Sequence, residues 1–231
     1  MAKNLKHLRE EVLEANLEIV RHGLVVTTFG NASGIIRERG LIVIKPSGVS
    51  YDSLRSKDMV VTDLEGRVVR GTLRPSSDLP THLELYRAFP TIGGVTHTHS
   101  RFATAWAQAG QEIPCLGTTH ADYFHGPVPV TAQMQRDEIE NAYEKNTGRV
   151  IARRLEGLDP SDFPAVLVAG HGPFCWGSDP LGSARLAILV EEIARMAYYT
   201  VTLNPGTESI SQYLLEKHFL RKHGPDSYYG Q

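Results

Sequence analysis

Leu5, Leu8, Val12, Ala15 and Ile19 recur at intervals of three and four, the spacing that lines one face of an α-helix. His22-Gly23 ends the pattern, because glycine readily adopts the left-handed conformation that closes a helix. The rhythm then shortens. Residues 41–44, 59–62 and 67–69 are brief β-rich runs, separated by the turn sequences Lys45-Pro46-Ser47-Gly48 and Asp63-Leu64-Glu65-Gly66. A helix is predicted over 81–89, opening near Pro80 and closed by Pro90.

Gly93-Gly94-Val95-Thr96-His97 reads as a buried strand, and 100–108 as the helix after it, with Ser100 at the N-cap. Residues 166–169 form another short buried strand, ending at Gly170-His171-Gly172. A long helix over 180–202 carries the stripe Leu186, Leu189, Val190 and Ile193, and a last helix spans 208–222. Helices before, between and after short strands predict an α/β or α+β layered domain around a central sheet. No repeat and no shift in composition divides the 231 residues, so 1–231 is read as a single domain.

Charge narrows the partners. With 24 Lys and Arg against 26 Asp and Glu, the net charge of −2 provides no basic stripe for nucleic acid and no polybasic patch for a membrane. A small solute is the expected partner. Residues 1–11 are polar where a secretory signal needs an apolar run, so the cytoplasm is the expected location. Cys115 and Cys175 have no second cysteine at ligand spacing and read as small buried apolar residues.

Histidine supplies the candidate chemistry. In His97-Thr98-His99 an extended backbone puts both imidazoles on one face, since side chains alternate along a strand. His171, between two glycines at the end of another strand, is the natural third ligand. Three imidazoles and an open fourth position describe a catalytic zinc site. Asp78 is a further candidate at the metal, as a ligand or as a carboxylate orienting one; it reads equally as a favourable carboxylate at a helix N-terminus. Gly30-Asn31-Ala32-Ser33-Gly34, Lys45-Pro46-Ser47-Gly48 and Arg74-Pro75-Ser76-Ser77 combine backbone freedom, hydroxyls and a lysine, the parts that surround a phosphate with donors. None is a Walker A loop, and the glycines from Gly170 to Gly177 miss the dinucleotide spacing, so no nicotinamide is expected.

These segments resemble the class II aldolase/adducin-like family nearly end to end. The resemblance runs through Val12-Leu13-Glu14-Ala15-Asn16-Leu17, Gly30-Asn31, Val43-Ile44-Lys45-Pro46-Ser47-Gly48-Val49, Pro75-Ser76-Ser77-Asp78 and His97-Thr98-His99-Ser100. It continues through Gly117-Thr118-Thr119-His120-Ala121-Asp122-Tyr123, His171-Gly172-Pro173-Phe174 and the ending Tyr228-Tyr229-Gly230-Gln231. It implies a mainly antiparallel central sheet flanked by helices, and a homotetramer with active sites between neighbouring subunits. It implies zinc on His97, His99 and His171, with manganese or cobalt as alternative metals. The implied substrate is a sugar phosphate, its phosphate held by Asn31, Lys45, Ser47, Gly48, Ser76 and Ser77. Aldolases of the family carry a glutamate where this chain has Asp78, and the shorter aspartate looks epimerase-like.

Epimerisation at C4 of a 2-ketopentose phosphate cannot proceed by simple proton exchange, because the C4 proton is not alpha to the carbonyl. Reversible cleavage of C3–C4 avoids the problem, a metal stabilising the enediolate that is released. Two proton-transfer groups are then needed, one for each face of the aldehyde. The resemblance assigns them to Asp122 and to Tyr229, the latter reaching in from a neighbouring subunit. His218 stands ready to assist or to pack in the core, Thr118 is an added substrate-side contact, and Glu144 is a weaker candidate. The rival readings are an aldolase that releases its aldehyde and an adducin-like scaffold without catalysis.

Overall fold

The protein is described here by a computed structural model that covers residues 4–228. Seven strands, β1 (Asn31–Ile36), β2 (Leu41–Ile44), β3 (Val60–Asp63), β4 (Val68–Arg70), β5 (Gly94–His97), β6 (Ala165–Val168) and β7 (Gly172–Gly177), form one sheet in the order β4-β3-β2-β1-β5-β7-β6. Every neighbouring pair is antiparallel. The helices are α1 (Leu5–Arg21), α2 (Leu79–Ala88), α3 (Arg101–Gln108), α4 (Thr118–Ala121), α5 (Arg136–Glu140), α6 (Tyr143–Arg154), α7 (Pro180–Leu203) and α8 (Gln212–His223).

Strand alternation divides the core between the two faces of the sheet. Ala32, Leu167 and Cys175 face the layer of α1, α3 and α7, where Ala15, Ile19, Ala103, Ala187 and Val190 pack. Val95, Val166, Phe174 and Trp176 face α2 and α6, against Leu83, Leu85, Tyr86 and Ile151. His97 lies two residues after Val95 and therefore turns its ring to the α2 side, where it stacks on Phe174, its partner across the ladder, at 4.0 Å between centroids. The starts of α2 and α6 belong to this same side. The site is assembled there.

The opening helix, β2, β5 and α7 fall where the hydrophobic pattern put them. Three expectations need correction. The segment read as a glycine-rich loop, Gly30 to Gly34, contains the start of β1, a fully buried inner strand. Its small residues are required by space: a Cβ on Gly34 would come within 2.7 Å of Pro180 and Leu8 side-chain atoms. Ser100 has N-cap backbone geometry, yet its hydroxyl caps nothing; the Glu191 carboxylate from α7 accepts instead from the amides of Phe102 (2.9 Å) and Ala103 (2.9 Å). The last helix starts at Gln212 rather than 208, where the Ser211 hydroxyl accepts from the Leu214 amide.

Two buried histidines tie the α2 side and the α4 loop into the core. The Ser33 hydroxyl lies 2.7 Å from His82 Nδ1 and 2.8 Å from the Tyr86 hydroxyl, while His120 Nε2 pairs with the Gly126 carbonyl at 2.9 Å. Burial pulls both imidazoles down to about 4, against about 6.5 in an unfolded chain. Between those values the unfolded state binds more protons, so stability is lost as pH falls from about 6.5 towards about 4. Denaturant midpoints measured with chelator present should drop across that window, and less steeply for His120→Gln. A midpoint that stays level from pH 7 to 4.5 would contradict burial of these rings in the neutral form.

Candidate active site

His97 Nε2 and His99 Nε2 lie 3.0 Å apart, and the donor atoms of His97, His99 and His171 all fall within 4.8 Å of one another. A tetrahedral zinc with bonds of about 2.05 Å separates its nitrogen ligands by roughly 3.3 Å, so the cluster fits such an ion. The chemistry of the donors agrees. His97 Nδ1 is 2.9 Å from the Pro173 carbonyl, which fixes the proton there and leaves Nε2 as a lone-pair donor. Burial pushes His97 down to about 3 and lowers His99 and His171 as well, so all three imidazoles are neutral at physiological pH, the form that binds metal.

Asp78, the residue before α2, is not one of the clustered ligands. Its Oδ2 accepts from Asn31 Nδ2 at 2.6 Å, and Asn31 Nδ2 also reaches the Ser76 hydroxyl at 3.1 Å. Burial alone would raise the Asp78 carboxyl, yet the net shift is below the usual carboxylate range, with the Asn31 hydrogen bond favouring the ionised form. Asn31 itself pairs with His97 across β1 and β5. The histidine cluster and the polar pocket beside it therefore share two adjacent strands.

All three proposed phosphate loops meet in that pocket. A bridge between Pro46 and Pro75 joins the loop after β2 to the loop before α2, with the Ser47 amide on the Arg74 carbonyl and the Ser76 amide on the Lys45 carbonyl, each at 2.9 Å. The resulting cavity of about 290 Å³ is lined by Asn31, Lys45, Ser47, Gly48, Ser76, Ser77, Asp78 and His99, among others. Lys45 is 2% exposed, and its ammonium has no carboxylate partner among the described residues. It sits 4.5 Å from the centroid of the Tyr51 ring and 3.3 Å from the Pro46 carbonyl, and burial lowers its pKa. Asn31 Oδ1 is buried with no hydrogen bond among the described residues. A buried cation beside a cavity suits the charge of a phosphate, and the free Asn31 Oδ1 acceptor suits a hydroxyl of the same ligand.

Asp122, His218 and Thr118 stand apart from this cavity. Asp122 caps α4 and is clamped by α8: Arg221 donates to both carboxylate oxygens at 3.0 and 2.8 Å, and His218 Nδ1 lies 3.0 Å from Oδ1. Burial would raise the Asp122 carboxyl, and the Arg221 and His218 bonds bring it below the usual range. His223 Nε2 holds the Asp122 carbonyl at 3.0 Å. Arg221 and His223 were not singled out in the sequence, because their partner lies about a hundred residues earlier. Thr118 opens α4 and contributes its carbonyl to the Asp122 amide. Glu144 gives its carbonyl to the Thr81 hydroxyl at 2.5 Å. Tyr229 lies outside the described residues. Cys115 and Cys175 are buried thiols whose pKa values burial raises, Cys115 to about 11. Among the described residues no helix is long and apolar enough to cross a membrane.

Comparison with known proteins decides the lineage. The model of the class II aldolase and adducin N-terminal domain matches residues 10–198. The chain belongs to the class II aldolase and adducin family. Within that family it is 52% identical over 227 residues to an L-ribulose-5-phosphate 4-epimerase, UlaF, of Salmonella paratyphi A (strain ATCC 9150 / SARB42), covering 98% of this chain and all of that protein. Among solved structures, an L-fuculose 1-phosphate aldolase superposes with a TM-score of 0.75 at 26% identity, over 91% of this chain and 93% of its own. The L-fuculose-1-phosphate aldolase of Thermus thermophilus, at 24% identity, shares the fold with a TM-score of 0.66 over 88% of this chain and 98% of its own. The antiparallel seven-stranded sheet between helical layers is thus the class II aldolase architecture.

Proposed function

We propose that this chain is an L-ribulose-5-phosphate 4-epimerase, interconverting L-ribulose 5-phosphate and D-xylulose 5-phosphate in the cytoplasm. The full-length identity to a protein of that name supports the activity. The observation that carries the substrate is the shared cavity, in which a buried Lys45 with no carboxylate partner among the described residues and the Ser47, Ser76 and Ser77 hydroxyls stand beside His99 and Asp78.

His97, His99 and His171 would hold a divalent cation, with zinc fitting best and manganese or cobalt as alternatives. When bound, the metal supplies Lewis-acid stabilisation of the negative charge that develops as C3–C4 breaks. Lys45 and the serine loops bind the phosphate at C5, so the aldehyde fragment stays tethered while its carbonyl face turns. Asn31 orients Asp78 through the 2.6 Å bond, keeping that carboxylate aimed at the reacting end of the substrate. Asp122, with His218 beside it, moves a proton on one face of the aldehyde, and Tyr229 on the other.

Within one chain Asp122 and His218 do not line the cavity that holds Lys45 and His99. That separation supports sites shared between neighbouring copies of the chain, which we read as single-domain subunits of a homotetramer.

The test is product analysis with zinc-loaded protein and L-ribulose 5-phosphate. D-xylulose 5-phosphate should accumulate without free dihydroxyacetone. Release of dihydroxyacetone and glycolaldehyde phosphate would make the enzyme an aldolase, and a loaded protein with no turnover would make it a scaffold.

A further inference from the structure

His171 is supported differently from His97. Where His97 rests on a backbone carbonyl, the His171 ring makes one hydrogen bond among the described residues, from Nδ1 to the Tyr143 hydroxyl at 3.3 Å. The two rings lie 6.2 Å apart at 30°. Tyr143 is 36% exposed, so packing alone does not explain its placement.

The backbone around Tyr143 is built to present it. Ala142, just before it, sits at φ 56, ψ 53, a left-handed conformation that a residue with a Cβ rarely adopts. Strain of this kind persists where the surroundings impose it and clusters at functional sites. Here the surroundings are explicit. The Thr81 hydroxyl donates to the Glu144 carbonyl at 2.5 Å, fixing the first turn of α6 to α2. Asn146 Nδ2 donates to the Glu138 and Asn141 carbonyls at 3.0 and 2.6 Å, holding the turn between α5 and α6. Gly148 lets the helices touch, since a Cβ there would meet the Thr81 carbonyl oxygen at 2.9 Å. The hydroxyl is thereby delivered from a rigid helix start.

We propose that Tyr143 is a positioning residue of the metal centre, its oxygen accepting from the Nδ1–H of His171 so that Nε2 faces His97 and His99. A neutral imidazole carries one ring proton, and fixing it on Nδ1 leaves the lone pair on Nε2. Partners of this kind orient ligand rings, and their loss costs about 10- to 100-fold in metal affinity. The inference rests on the reading of the three histidines as a divalent-metal site.

Tyr143→Phe removes the hydroxyl and keeps the ring. Apo-protein titrated with zinc against a chromophoric chelator should show affinity weakened by about 10- to 100-fold. The visible spectrum of the cobalt-loaded variant should shift, while far-ultraviolet circular dichroism is unchanged. Parental zinc affinity in the variant overturns the proposal; if turnover falls at the same time, the hydroxyl serves the substrate instead. Because zinc titration and turnover are separate measurements, a failure of the epimerase reading is distinguishable from a failure of this one.

Discussion

His97→Asn is expected to abolish metal retention and to lower kcat/KM by about 10³-fold or more, since Lewis-acid catalysis supplies several kcal/mol and each 1.36 kcal/mol is tenfold in rate. Asparagine is the informative replacement. Its amide nitrogen stands near the position of His97 Nδ1 and can still donate to the Pro173 carbonyl, now 2.9 Å away. The ligand atom Nε2 is lost without leaving a buried carbonyl unpaired, which would itself cost about 1–3 kcal/mol. Loss of the stacked contact with Phe174 should still destabilise the fold by an amount on the order of 1 kcal/mol. Metal analysis of the purified variant, thermal unfolding with chelator present and steady-state kinetics separate these effects. Stoichiometric metal with normal turnover in His97→Asn would remove His97 from the centre.

The sequence placed that histidine for reasons the structure explains. Period-two alternation depends only on an extended backbone, and β5 is extended up to His97, so the face of the ring follows from that of Val95. β1 and β7 were harder to read. Asn31, Ala32, Ser33 and Gly34 look like a loop because an inner strand with helices close on both faces leaves room only for small side chains, and that crowding is set by Leu8 and Pro180 far away in the chain. Gly172 and Pro173 likewise mask the start of β7. α6 escaped notice because its first two turns are polar and include Gly148, a poor helix former whose value is the approach of α2.

The same logic divides the site. His97, His99 and His171 were legible because the constraint is local, a short spacing and a glycine context. Each loop lining the polar pocket was visible in the sequence, but their meeting required the bridge between Pro46 and Pro75. Tyr143 and Arg221 carried no local signal. Their contacts are with residues 28 and 99 positions away, which no periodicity encodes.

Lys45→Met should act in opposite directions on stability and activity. In the free protein the Lys45 ammonium is buried beside Tyr51 with no carboxylate among the described residues, and burial already lowers its pKa. Taking a charge out of water costs several kcal/mol unless an ion of opposite sign answers it, and an apolar side chain of similar length avoids that cost. The loss of the cation–π contact gives back about 0.5–1 kcal/mol. The balance predicts a variant stabilised by about 1–2 kcal/mol, a rise of roughly 2–8 °C in Tm for a chain of this size. Substrate binding moves the other way. One charge-assisted hydrogen bond contributes about 1.5–3 kcal/mol, so kcat/KM should fall by about 10- to 10²-fold. Inorganic phosphate links the two measurements, because a ligand that binds only the folded state raises Tm by an amount that grows with the logarithm of its affinity. Phosphate should therefore protect the parent and leave Lys45→Met unmoved. Equal protection of both proteins would place the phosphate elsewhere, and a variant that is less stable than the parent would show that Lys45 is held by more than the ligand it awaits.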